Sequence, residues 1–229
     1  EKKIEEMDVV FLMDRFGYAK TVDVSVYERN KEAADTENRY ILTCKNTDKI
    51  CIFTNKGQMH LLKVLDLPYG KFRDKGIPID NLSNYDSSEE NFIYIINLGA
   101  IIHSRLLFGT KTAMLKMVDG SEFDVAKRTT ASTKLNEDDE LLIVHAMTGE
   151  ETVVMQSEKE MFLRIEASTI PEKKKGAVGV RGMKLNAGDA LSNIYVLDGE
   201  NEQTVEVKGK EVVLNRLRVG NRDTKGTKR

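Results

Sequence analysis

The 229-residue chain has no tryptophan, only two cysteines and three histidines, and no apolar run near the roughly 20 residues that a membrane-spanning helix needs. Its opening, EKKIEEMD, lacks the apolar centre of a secretory signal, so a cytoplasmic location without membrane contact is expected. Cys44 and Cys51 stand seven apart without a second Cys/His pair, which argues against a zinc site and leaves a structural disulfide unsupported. Both read as small packing residues. His60, His103 and His145 lack metal-ligand spacing. Glu137-Asp138-Asp139-Glu140 lacks the spaced ligands and turn glycine of a calcium loop, and reads as a solvated turn between repeats. Gly176-Ala177-Val178-Gly179 is not followed by the Lys-Ser/Thr and helix of a phosphate loop. No Ser/His/Asp arrangement can be assigned from sequence order, and the chain is expected to hold no catalytic residue, cofactor or metal.

What is present is a repeated unit. The stretch Ile50 to Leu82 reads as strand, tight turn, strand, basic connection and third strand, with Thr54-Asn55-Lys56-Gly57 as the turn and Pro78 marking an edge strand. The same order recurs around Asp14-Arg15-Phe16-Gly17, between Val9–Met13 and Tyr18–Val22. It recurs around Thr110-Lys111-Thr112-Ala113 and Ser157-Glu158-Lys159-Glu160, and more faintly at Val207-Lys208-Gly209-Lys210. The turn-end residues Gly17, Gly57, Ala113, Glu160 and Lys210 are separated by 40, 56, 47 and 50 residues, and Leu82, Leu135 and Leu185 by 53 and 50. Two anchors therefore give one period of about 50 residues. Tyr27 to Arg39 reads as a solvated loop rather than a short helix, Ala100-Ile101-Ile102 as an insertion, Asp119-Gly120 as a hairpin-type turn, and Lys127 to Lys134 as a basic loop matching Lys71 to Lys75.

A unit of this length with about four short strands predicts an all-β propeller or pinwheel of about five four-stranded blades, with four or six as alternatives. Repeats start near residues 8, 49, 105, 151 and 203. Residues 1–220 are expected to form the propeller, and the basic tail 221–229 to be disordered.

The segments IFTNKGQMHLLKVLDLP, GIPIDNL and GAVGVRGMKLNAGDALSNIYVL, in register with that period, resemble the repeats in the C-terminal domain of bacterial type II topoisomerase A subunits, those of gyrase and topoisomerase IV. The resemblance covers most of the chain. It implies hairpin-exchanged blades that bind and bend double-stranded DNA around a basic outer rim, and a nucleoid-associated location. It implies as partners the rest of the A subunit with, through it, the ATPase B subunit, the catalytic tyrosine and ATPase lying outside this chain. The isolated domain is expected to be monomeric. One departure is plain: where gyrase carries a glutamine-, arginine- and glycine-rich wrapping box after the first hairpin, Tyr27 to Asp35 reads YERNKEAAD. That points toward a topoisomerase IV-like A subunit, or toward a gyrase-like paralogue that relaxes and decatenates.

Charge is segregated although the formal net charge is only −2. Leu135 to Glu166 holds nine acidic and two basic residues, Pro171 to Leu185 five basic and one acidic, and Lys208 to Arg229 eight basic and two acidic. The candidate DNA-binding residues recur with the repeat: Lys71, Arg73 and Lys75; Lys127, Arg128 and Lys134; Lys173, Lys174, Lys175, Arg181 and Lys184; Arg216, Arg218 and Arg222. Cations at like positions on a ring neutralise phosphates without reading bases. Gly176, Gly179 and Gly182 serve either close backbone approach to phosphate or strand bending. The alternative function is a protein-interaction platform without nucleic-acid binding, using the acidic segment.

Overall fold

A computed structural model describes residues 2–229. Five antiparallel hairpins follow one another: β1 (Asp8–Met13) with β2 (Tyr18–Asp23), β4 (Lys49–Thr54) with β5 (Gln58–Lys63), β8 (Arg105–Thr110) with β9 (Met114–Asp119), β12 (Thr152–Ser157) with β13 (Met161–Glu166), and β16 (Thr204–Val207) with β17 (Lys210–Val213). In four of them a return strand pairs with the first strand: β3 (Tyr40–Lys45), β7 (Phe92–Asn97), β11 (Leu141–Met147) and β15 (Leu191–Leu197). The second strand receives a short strand lent by the following repeat. These are β6 (Ile77–Pro78) on β2, β10 (Thr129–Ala131) on β5, β14 (Val180–Arg181) on β9 and β18 (Thr227–Lys228) on β13. The result is a five-bladed, strand-exchanged propeller with four four-stranded blades and a fifth that is a bare hairpin.

The hairpins form where local chemistry closes the turn. Asp14 Oδ1, Thr110 Oγ1 and Ser157 Oγ accept hydrogen bonds from the backbone N–H four residues on, at 3.0, 3.1 and 3.1 Å. The turn-end residues Gly17, Gly57, Ala113 and Glu160 all occupy the left-handed region, with φ of 87°, 73°, 66° and 64°. Only glycine enters that region without steric cost. In the fifth hairpin the left-handed residues are Lys208 and Gly209, so its turn ends one residue before Lys210.

Blades are held by their faces. Phe11, Ile50 and Ile52 lie in the core between blades 1 and 2, and Leu115, Met155 and Ile165 in that between blades 3 and 4. Between blades 2 and 3, the Phe53 ring meets Phe123 and Phe108 edge-on at centroid distances of 5.0 and 5.9 Å. A smaller core around Val154, Phe162 and Leu214 joins blades 4 and 5. Burying each such side chain contributes about 1.5–3 kcal/mol. The return strands pack successively, β3 on β7, β7 on β11 and β11 on β15. They gather on the axial side, which leaves the lent strands β6, β10, β14 and β18 on the opposite, outer edges.

Several local expectations are corrected. Tyr27 to Arg39 is not a solvated loop: α1 (Val24–Arg29) and α2 (Lys31–Glu37) occupy it. Asp23 caps α1 by accepting from Ser25 N at 3.0 Å, and Val24, Val26, Tyr27 and Ala34 cover the free face of blade 1 over Val10, Leu12 and Val22. Burial of that sparse apolar set outweighs the polar composition. The presumed insertion at Ala100 forms α3 (Leu98–Ile101), capped by Asn97. Asp119-Gly120 opens a 3₁₀ turn, and the third strands are shorter than read, with Ile77–Pro78 followed by a 3₁₀ turn over Ile79–Asn81. The tail 221–229 is ordered by pairing: Phe162 opposes Thr227 and Met161 opposes Lys228.

Cys44 and Cys51 are both free and buried, and burial pushes their thiols up to about 11 and about 12. Neutral, enclosed thiols are poor nucleophiles. The folded chain is therefore expected to show no reaction with an aromatic disulfide reagent at about pH 8, and two reacting thiols after denaturation. A fast-reacting thiol in the folded chain would contradict this placement.

Candidate nucleic-acid interface

Each lent strand is reached by a connection that leaves the 3₁₀ turn of the next repeat (Val64–Asp66, Gly120–Phe123, Ala167–Thr169 or Leu214–Arg216) and runs beside the second strand of the blade before. Backbone bonds pin it there: Thr21 N to Pro68 O at 2.8 Å, Leu61 N to Arg128 O at 2.8 Å, Met117 N to Pro171 O at 2.9 Å, and Gly220 N to Arg164 O at 2.7 Å. Tyr69, Glu172 and Val219 form parallel bridges to Thr21, Met117 and Arg164, three equivalent positions.

The sequence-selected cations fall mostly on these connections. Lys71, Arg73 and Lys75 lie on blade 1, Lys127 and Arg128 on blade 2, Lys173, Lys174 and Lys175 on blade 3, and Arg218 and Arg222 on blade 4, with Arg216 on the 3₁₀ turn before them. Lys134 and Lys184 do not match Lys75, because each follows a lent strand, and Lys127 to Lys134 is interrupted by β10. Their backbones instead stitch neighbouring connections together: Lys134 N donates to Ala177 O at 3.4 Å and Lys184 N to Thr224 O at 2.9 Å. On the blade 1 side, Asn84 N donates to Thr129 Oγ1 at 3.2 Å. The connections thus follow one another around the rim.

Most of these side chains are exposed, Lys173, Lys175 and Arg222 being half-buried. Among the described residues only Arg181 of the set enters a salt bridge, through a two-point contact of Nε and Nη2 with the Asp223 carboxylate. That pairing raises the Arg181 pKa and lowers that of Asp223. Arg181 therefore brings a neutralised site rather than a free cation. Lys175 and Arg222 also have local duties, donating to Glu122 O at 3.1 Å and Arg181 O at 2.9 Å. Gly179 serves close approach, but to protein: a Cβ there would lie 2.5 Å from Leu115 O, and one at Gly182 would strike the Leu115 side chain, whereas Gly176 faces open space.

Sequence reasoning missed the groups beneath the connections. Lys20 Nζ donates to Asp74 O at 3.0 Å and also to Phe72 O. The buried Lys116 Nζ donates to Lys174 O, Lys175 O and Ala177 O at 3.0, 3.2 and 2.6 Å. Their signal was legible: Lys20, His60 and Lys116 each stand three residues after a turn end. Lys49 and Lys63, cross-strand partners, share a shallow cavity with Lys127 and Arg128 and enlarge the blade 2 cluster. The acidic turn is drawn inward, Asp139 accepting from Thr112 N and Oγ1 at 3.1 and 2.6 Å, while Glu140 pairs with Lys56 and Lys111.

A strand-exchanged β-propeller with a basic connection on the outer edge of each four-stranded blade is the class that fold and site define. Residues 104–146 and 151–198, one full repeat each, match the family described as DNA gyrase C-terminal domain, beta-propeller. The A subunit of DNA gyrase from Staphylococcus epidermidis (strain ATCC 12228 / FDA PCI 1200) is 29% identical across 100% of the chain, which spans 27% of that relative's length. The solved C-terminal domain of a DNA topoisomerase IV superposes with a TM-score of 0.87 at 22% identity, covering 98% of this chain and 73% of that one. The Escherichia coli ParC C-terminal domain gives 0.78 at 15% identity, over 97% and 94%. Over its full length the chain is thus similar in sequence to gyrase A subunits, and in fold to the C-terminal domains of topoisomerase IV. Among the described residues no helix is long and apolar enough to cross a membrane.

Proposed function

We propose that this chain binds duplex DNA along its outer rim and bends it, as a non-catalytic domain of a bacterial ATP-dependent type II topoisomerase A subunit. The observation that carries this reading is the recurrence of a basic connection on the outer edge of blades 1 to 4, each stitched to the next. Cations on a curved edge contact more phosphates as the duplex bends, which offsets the elastic cost of bending. The protein partners are the rest of the A subunit with, through it, the ATPase B subunit. In place of a wrapping box, α1 and α2 close the face of blade 1 with an acid-containing helical pair. That replacement favours relaxation and decatenation over the introduction of supercoils.

Titration of a linear duplex of unrelated sequence with the isolated chain tests the binding. With about six phosphate contacts, affinity is expected to fall roughly a thousandfold between about 50 and 200 mM salt. Absence of binding at the low-salt end, or binding indifferent to salt, would overturn the reading.

A further inference from the structure

Lys20 of β2, His60 of β5 and Lys116 of β9 occupy one equivalent position; Lys20 and Lys116 touch the connection of their blade, whereas His60 meets Thr129 of the lent strand β10. Lys116 is 1% exposed, and its three ammonium protons match three backbone carbonyls, two of them belonging to Lys174 and Lys175. Burial pulls its pKa down to about 8, opposed by Glu122, and three carbonyl acceptors around Nζ suit the ammonium form. Lys20 grips carbonyls on both sides of Arg73, and its ammonium lies 5.1 Å from the centroid of Phe72, which is tucked into the blade 1 core. The fold does not demand a lysine here, since blade 4 places the buried Leu163 at this position. Burying an ammonium costs far more than burying leucine, so the lysines answer a need other than packing.

Resting on the DNA-binding reading, we propose that Lys20 and Lys116 are positioning residues that clamp the backbone of the basic connections and hold their exposed cations at a set spacing along the rim. Unclamped, neighbouring lysines on a short segment would repel and spread, and DNA would have to order them on binding. Clamping removes that ordering cost in advance.

The test changes Lys116 to Met, alone and together with Lys173→Gln and Lys174→Gln, with Lys20→Met and Lys71→Gln, Arg73→Gln as the matching set on blade 1. Amide hydrogen exchange and affinity for a linear duplex are both measured. Exchange across residues 171–179 is expected to speed by about tenfold in K116M with the β8–β9 hairpin unchanged. Affinity is expected to drop about three- to tenfold, and the drop should vanish once Lys173 and Lys174 are gone, because the clamp acts through them. Unchanged exchange in the connection, with wild-type binding intact, overturns the clamp alone. An affinity loss that persists in the glutamine background shows Lys116 acting by its own charge and overturns the positioning role. A wild-type chain that binds no duplex removes the DNA reading and this role with it. Should K116M fail to fold, the partly exposed Lys20 carries the same comparison.

Discussion

Changing Lys71, Arg73, Lys127, Arg128, Lys173 and Lys174 to glutamate is expected to lower the affinity for linear duplex DNA by at least about a hundredfold at about 100 mM salt. Each substitution removes a cation that would displace a condensed counterion and puts a like charge against the phosphate. Six of them span three successive blade edges, so no register of the duplex along the rim escapes all of them. The fold should survive, because none of the six enters a salt bridge among the described residues and five are exposed. Surface positions of this kind change stability little. Arg181→Gln is the internal comparison: its charge is already met by Asp223, so a small effect on affinity is expected there. Unaltered affinity in the sixfold variant, with circular dichroism and melting as in the wild type, would leave the rim without a role in DNA binding.

Gly120→Ala is expected to be the most damaging single methyl group. Gly120 opens the 3₁₀ turn after β9 and donates its N–H to Ser104 O at 2.7 Å. An added Cβ would sit 1.8 Å from Ile101 O and 2.7 Å from Ile101 C. Both are backbone atoms of α3, whose Leu98 and Ile101 are packed into the core between blades 2 and 3 beside Phe123. No side-chain rotation relieves the overlap, so either α3 or the turn must move out of a close-packed interface. A loss of about 3 kcal/mol or more follows, or roughly 10 °C in melting midpoint for a chain of this size. Gly176→Ala is the counterpart: a Cβ there meets nothing within 4 Å, and the midpoint should stay level or rise slightly. A Gly120→Ala midpoint within about 2 °C of wild type would mean that the close approach is not rigid.

How much of this was legible depended on the range of the interaction. The hairpins were readable because their causes are local, a side-chain oxygen and a left-handed residue within one turn, with apolar alternation on either side. The helices over Val24–Glu37 were not, because what stabilises them is the exposed face of blade 1, which exists only after β1, β2 and β3 have paired. For the same reason β18 is not legible in the sequence: its polar residues gain order only from the free edge of β13. The candidate site shows the same division. That basic residues recur with the repeat was visible in the sequence, while the neutralisation of Arg181 by a carboxylate 42 residues away was not. Lys116 looked like an ordinary polar interruption of a strand until its partners, 58 to 61 residues on, came to lie over it.

By itself, the amino-acid sequence determined the repeat, its hairpins and the all-β class, since each rests on residues within one unit and on the spacing between units. Only the tertiary structure decided which repeat lends its strand to which blade, which edge faces outward, and which cations remain free on that edge. Those outcomes depend on pairing and burial between segments some 40 to 60 residues apart, where no local preference discriminates among the possible partners and packing alone selects one.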